Sequence, residues 1–131
     1  MKNVSYSAVV LDDLSRQKLI SVFRPMIPTD WEIIAHHMTI KLGALDEESQ
    51  PKKDMEKNKT ITLVVEDYAV DDKVMAVGVS GYESKNIKPH ITLAVNRSEG
   101  GKPMMSNQLS DWKEIKFPLK VTGKVIEVEY K

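Results

Sequence analysis

Two tetrapeptides constrain this chain more than any other feature. His37-Met38-Thr39-Ile40 and His90-Ile91-Thr92-Leu93 both read His-apolar-Thr-apolar. In an extended strand successive side chains point to opposite faces, so each tetrad sets an imidazole beside a hydroxyl and two apolar groups behind them. The apolar pair suits a core. Two such strands brought together would present two imidazoles and two hydroxyls to one small anion, which is the equipment for acid–base chemistry at a phosphate.

The rest of the chain supplies a sheet to hold them. Val4 to Leu11 is rich in β-branched and apolar residues and reads as a strand. Asp12-Asp13 then offers a cap and first-turn acid for a helix whose apolar stripe is Leu14, Leu19, Ile20 and Phe23, ended by Pro25 and Pro28. Trp31 to Leu42 reads as the strand of the first tetrad, closed by Gly43. Leu45 to Asn58 is charged, broken by Pro51 and without apolar period, and reads as a surface loop. Thr60–Asp67 and Lys73–Val79 read as strands joined at Asp71-Asp72. A polar loop, Tyr82 to Lys88, then leads to the second tetrad strand, Pro89 to Val95. Ser98 to Pro103 reads as a turn, Ser106 to Trp112 as one or two helical turns, and Lys116 to Tyr130 as one or two closing strands with a bend or bulge at Gly123. The pattern is α+β, mostly antiparallel, with strands outnumbering helices.

Composition narrows the functions. At 131 residues one domain, 1–131, is expected, with room for a hydrophobic core. Lys+Arg and Asp+Glu are both 19, so attraction to phosphate must be local rather than a bulk charge effect. Cysteine is absent, which excludes disulfides and thiolate chemistry. No stretch has the apolar length of a signal peptide or membrane span, so a cytoplasmic protein without membrane contact is expected.

Of the three histidines, His36 is read by strand alternation as facing away from His37, with Met38 and Ile40, and as having no role. Adjacent strand histidines diverge, and no His-Glu-x-x-His or acidic ligand spacing occurs, so neither metal nor other cofactor is expected. Gly-x-Ser-x-Gly and Gly-x-x-x-x-Gly-Lys-Ser/Thr are also absent. Lys41 shares strand parity with His37 and Thr39, and Lys88 with His90 and Thr92, if each strand is regular. Either could support a phosphate, and Tyr82 could stack on a base. Trp31 and Trp112 read as packing residues, and Tyr6 could face core or cleft.

The paired His-x-Thr tetrads in a small α+β chain resemble the 2H phosphoesterase superfamily. The segment YSAVVLDDLSRQKL and the Ala76-Val77-Gly78-Val79 strand fit the same setting. The resemblance implies two pseudo-symmetric lobes of mostly antiparallel sheet with flanking helices, each tetrad lining one wall of a central cleft. It implies a metal-independent phosphodiesterase acting on a 2′,3′-cyclic phosphate of RNA or a nucleotide, or on a 2′,5′-phosphodiester, in RNA processing or repair. His37 and His90 would be the catalytic acid and base, and Thr39 and Thr92 would bind the phosphoryl oxygens. The near symmetry of the tetrads leaves open which histidine is the acid. A monomer acting on an RNA end or small nucleotide is expected. The alternative is a non-catalytic RNA- or nucleotide-binding module that retains the pocket.

Overall fold

The computed structural model describes residues 4–42 and 58–129. The Leu45–Asn58 segment, apart from Asn58, lies outside the described residues, as does Gly43. Among the described residues, eight strands, β1 (Val4–Leu11), β2 (Glu32–Ile33), β3 (His37–Leu42), β4 (Thr60–Val70), β5 (Val74–Ser80), β6 (His90–Val95), β7 (Lys113–Glu114) and β8 (Lys120–Glu129), accompany one α-helix, α1 (Asp13–Phe23). Short 3₁₀ turns lie at Arg24–Met26, Arg97–Glu99 and Pro103–Gln108.

Every described pairing is antiparallel, and the order β6-β3-β1-β8-β4-β5 returns to β6, closing a six-stranded barrel. Strands β2 and β7 add to β6 and β4. Closure removes the exposed edges that would otherwise offer unpaired backbone groups. The α+β expectation holds in this coarse form, with the strands in one continuous sheet. The β3–β6 seam is the sparse one: a single bridge, Met38↔Ile91, joins the two tetrad strands.

One face of the sheet carries the core, in which Val9, Met38, Leu63, Val77, Ile91 and Leu93 meet Leu19, Ile20 and Phe23 of α1. Asp12 caps α1, accepting from the Ser15 N–H at 2.7 Å. Leu14 departs from expectation, being 83% exposed. The buried stripe is Ser15, Leu19 and Phe23 at i, i+4 and i+8, and Leu14 lies off it. The buried Ser15 hydroxyl instead meets Thr122 of β8, 3.0 Å from its Oγ1 and 2.8 Å from its N–H.

The turn at Asp71-Asp72 forms because the Asp71 carboxylate accepts from the N–H groups of Lys73 and Val74. Gly123 is not the expected bulge. It sits in regular register opposite Leu11, and a β-carbon there would lie 2.5 Å from the Val10 carbonyl oxygen, so close approach of β1 and β8 accounts for it. The helical turns expected over Ser106–Trp112 form earlier, with Pro103 pre-setting the first residue of the 3₁₀ segment.

Candidate active site

The first tetrad strand is broken where a continuous strand was expected. Glu32 and Ile33 oppose Val95 and Ala94, and Ile34 and Ala35 donate to the carbonyls of Leu93 and Thr92. Met38 opposes Ile91, which is a different register. The extra residues are taken up around Ala35, whose φ of 41° is left-handed and whose side chain is fully buried. Arg16 of α1 pins the break by donating to the Ile34 carbonyl.

His36 lies in this break, so strand alternation does not govern it, and the expected divergence from His37 is overturned. The two Nδ1 atoms are 2.8 Å apart, with the rings nearly perpendicular. The opposite side of His37 is covered by Tyr6 of β1, stacked at 4.9 Å between centroids. Burial raises the Tyr6 pKa, so its phenol stays protonated.

Continuing the Met38↔Ile91 register by one residue each way sets His37 opposite Thr92 and Thr39 opposite His90. The imidazoles thus take one diagonal of a four-cornered site and the hydroxyls the other. Diagonal cross-strand neighbours stand about 7–8 Å apart, a span that admits a phosphate between two rings. The tetrads' apolar residues, Met38, Ile40, Ile91 and Leu93, face the core as expected.

The second tetrad is held from behind. His90 Nδ1 lies 2.7 Å from the Lys88 carbonyl, which can only accept, so Nδ1 carries the proton and Nε2 is the free nitrogen. Lys88 is anchored in turn: its Nζ is 2.6 Å from Asp67 Oδ2 and 4.9 Å from the Trp112 ring centroid. Asp67, Gly78 and His90 form one row across β4, β5 and β6. A β-carbon at Gly78 would overlap Asp67 Oδ1 and press on Lys88 Cε, so only glycine leaves room for this ion pair. The Asp67 Oδ1 atom is buried without a hydrogen-bond partner. Thr92 Oγ1 lies 2.8 Å from Ser106 Oγ and 3.3 Å from the Pro103 carbonyl, both on the 3₁₀ segment. The loop before β6 docks on β3, with Ser84 Oγ donating to the Thr39 carbonyl and Lys85 N–H to that of Ile40.

Electrostatics separate the two histidines. His37 is pushed down from 6.5 to about 4, first by burial, then by the charges of His36 and His90. His90 is lowered by burial, but its bond to the Lys88 carbonyl opposes that shift.

The remaining sequence-derived contacts fall less simply. The β1–β3 register shifts between Ala8↔Thr39 and Ser7↔Lys41, which removes the regular parity on which Lys41's placement rested. Lys88 precedes β6 and its ammonium is committed to Asp67 and Trp112. Tyr82 packs partly buried against the core, as does Trp31. His36, Asp67, Gly78 and Ser106 were not legible as site residues. Gly78 inside an apolar strand was the one local signal of a close approach.

Among the described residues no three His, Cys, Asp or Glu side chains converge as metal ligands. No described helix is long and apolar enough to cross a membrane.

No curated protein matches the chain. The family model of the fungal tRNA ligase phosphodiesterase domain matches residues 23–129, a span that holds both tetrads, Asp67, Gly78 and Ser106 but not Tyr6. Since that match covers most of the chain, the chain belongs to the fungal tRNA ligase phosphodiesterase domain family, within the 2H phosphoesterases.

Proposed function

We propose that this chain is a metal-independent phosphodiesterase that opens a 2′,3′-cyclic phosphate at an RNA end or on a nucleotide. The observation that carries the reading is the Met38↔Ile91 bridge, whose register, continued by one residue each way, sets His37 and His90 on a diagonal. In-line displacement at phosphorus needs a proton removed from the attacking water and one delivered to the departing ribose oxygen. Two imidazoles on a diagonal stand on either side of such a phosphate.

The surroundings support a division of roles. His37, held neutral by burial and neighbouring imidazoles, is the base that takes the water proton at Nε2. His90 is the acid. Its Nδ1 bond to the Lys88 carbonyl supports the charged ring, and its Nε2 proton goes to the leaving oxygen. The phosphodiester's own negative charge favours the imidazolium further. Thr39 and Thr92 donate to the non-bridging oxygens. For Thr92 this requires Ser106 to be the donor in their hydroxyl pair and the substrate to take over the threonine proton that otherwise goes to the Pro103 carbonyl. The sparse β3–β6 seam is the floor of the cleft, a single domain contributes the whole site, and the working unit is a monomer. Lys41 and Tyr82 remain substrate contacts of the same proposal, whereas Lys88 acts through its carbonyl.

The test is turnover of a 2′,3′-cyclic nucleotide and of a short RNA ending in a 2′,3′-cyclic phosphate, with and without excess EDTA, products read by mass. Opening to a single phosphomonoester, unaffected by EDTA, is expected. Loss of activity in EDTA that a divalent ion restores would overturn the mechanism. Tight nucleotide binding with no turnover of either substrate or of a 2′,5′-linked dinucleotide would favour the binding-module alternative.

A further inference from the structure

The contact between His36 and His37 sets two ring nitrogens 2.8 Å apart, and such a contact holds only if one of them carries a hydrogen. We infer that His36 is a positioning residue for His37: it accepts the His37 Nδ1 proton, which leaves Nε2 bare toward the phosphate, and it cancels that setting when it takes up a proton itself. The inference rests on the reading of His37 as the base.

With both rings neutral, two arrangements satisfy the contact. If His37 Nδ1–H donates, His36 carries its proton on Nε2, and the Nε2 of His37 is bare and basic. If His36 Nδ1–H donates, His37 holds its proton on Nε2 and cannot act as a base. Two features favour the first arrangement. His36 is exposed and can satisfy an Nε2–H with water. His90, on the diagonal, points a proton into the same site when charged, and a bare Nε2 on His37 does not oppose it. A protonated His36 carries hydrogens on both nitrogens, so the second arrangement is then forced and the base is switched off. Burial disfavours charge on His37.

The surrounding groups leave the imidazoles as the titrating centre. Tyr6 of β1 covers His37 and stays neutral, since burial raises it. Arg16 of α1 donates to the Ile34 carbonyl. His90 of β6 faces the pair across the seam. The Ala35 break is what makes the contact possible, because in a regular strand adjacent rings would diverge.

The experiment uses the full chain with His36→Ala, His36→Asn and His37→Ala. Nitrogen-15 shifts of the imidazoles near neutral pH report the tautomer directly. In the wild type His37 should show a protonated Nδ1 and a bare Nε2, and in His36→Ala it should move toward the Nε2–H form. On a 2′,3′-cyclic nucleotide His36→Ala should lower kcat/KM by about 10–100-fold, by analogy with the loss of partners that orient metal-bound imidazoles. In His36→Asn the amide oxygen can accept the same proton but cannot be charged. Most activity should return, because the amide keeps the accepting contact with His37 Nδ1. An unchanged His37 tautomer and pH profile in His36→Ala, with His37→Ala inactive, would overturn the role of His36 alone. Wild-type activity in His37→Ala would instead overturn the reading of the site beneath it.

Discussion

The two tetrads spell the same pattern and sit in different surroundings. The His90 tetrad lies on a strand buried along its whole length, flanked by β5, β3 and β2. Its imidazole is held by a backbone carbonyl and its hydroxyl by Ser106. The His37 tetrad starts where the chain re-enters the sheet after the Ala35 break. Among the described residues its imidazole meets side chains, Tyr6 on one side and His36 on another. A carbonyl fixes one tautomer and favours the charged ring, whereas a second imidazole fixes a tautomer only while it is itself neutral. Near-identical sequence thus becomes two imidazoles in unlike settings, which the proposed mechanism uses as one acid and one base.

The largest effects test whether the two histidines differ in kind. His37→Ala and His90→Ala should each lower kcat by roughly 10²–10⁴-fold, as expected for a general acid or base. The double variant should lose less than the product of the two, since both act in one step. Their pH profiles should differ. A base must be neutral, so His37 sets the limb that rises with pH, and an acid must be protonated, so His90 sets the limb that falls. Both free-enzyme values are depressed, so the kcat/KM bell should centre below the ordinary imidazole value of 6.5, with the kcat limbs higher because bound phosphate favours charge. Loss of the rising limb in His90→Ala, with the falling limb kept, would reverse the assignment.

The sequence was most readable where one local rule decided the outcome. Alternation placed Met38, Ile40, Ile91 and Leu93 in the core, and Asp12 and Asp71 formed their expected cap and turn. Reading failed where two segments had to be compared. The break at Ala35 exists because β2 and β3 meet β6 in different registers, and nothing in residues 31–42 announces that. The same holds for the shift that removes Lys41's parity, and for Asp67, which becomes a site residue only because Gly78 lets its carboxylate reach Lys88. Leu14 was misplaced because Ser15, a polar residue, takes the buried helical position through Thr122.

The hydroxyls should show a smaller contrast. In the proposed mechanism Thr39→Val and Thr92→Val each remove one donor to the phosphoryl oxygens, and roughly 10²-fold in kcat is the lower end for such a loss. Thr92→Val should cost stability as well, because it strands the buried Ser106 hydroxyl, at roughly 1–3 kcal/mol. Ser106→Ala should impair turnover less than Thr92→Val while leaving KM close to wild type. Urea unfolding beside steady-state kinetics separates these cases. Equal stability of the two threonine variants would show that Ser106 does not depend on Thr92.

The smallest contrast lies in acid stability. The His37 value of about 4 in the folded protein compares with 6.5 for a free imidazole. Above pH 6.5 both folded and unfolded forms are neutral there and stability does not depend on this group. As pH falls the unfolded chain binds the proton first, so stability is lost progressively from about 6.5 down to about 4, by roughly 3 kcal/mol in all. His90 acts in the same direction, but the Lys88 carbonyl favours its charged form and offsets part of the loss. Urea midpoints at pH 7 and pH 4.5 should therefore differ most in the wild type, less in His90→Gln and least in His37→Gln. A flatter response in His90→Gln than in His37→Gln would mean that burial of the second tetrad outweighs its carbonyl bond, and that the difference between the two imidazoles is not the one drawn from their partners.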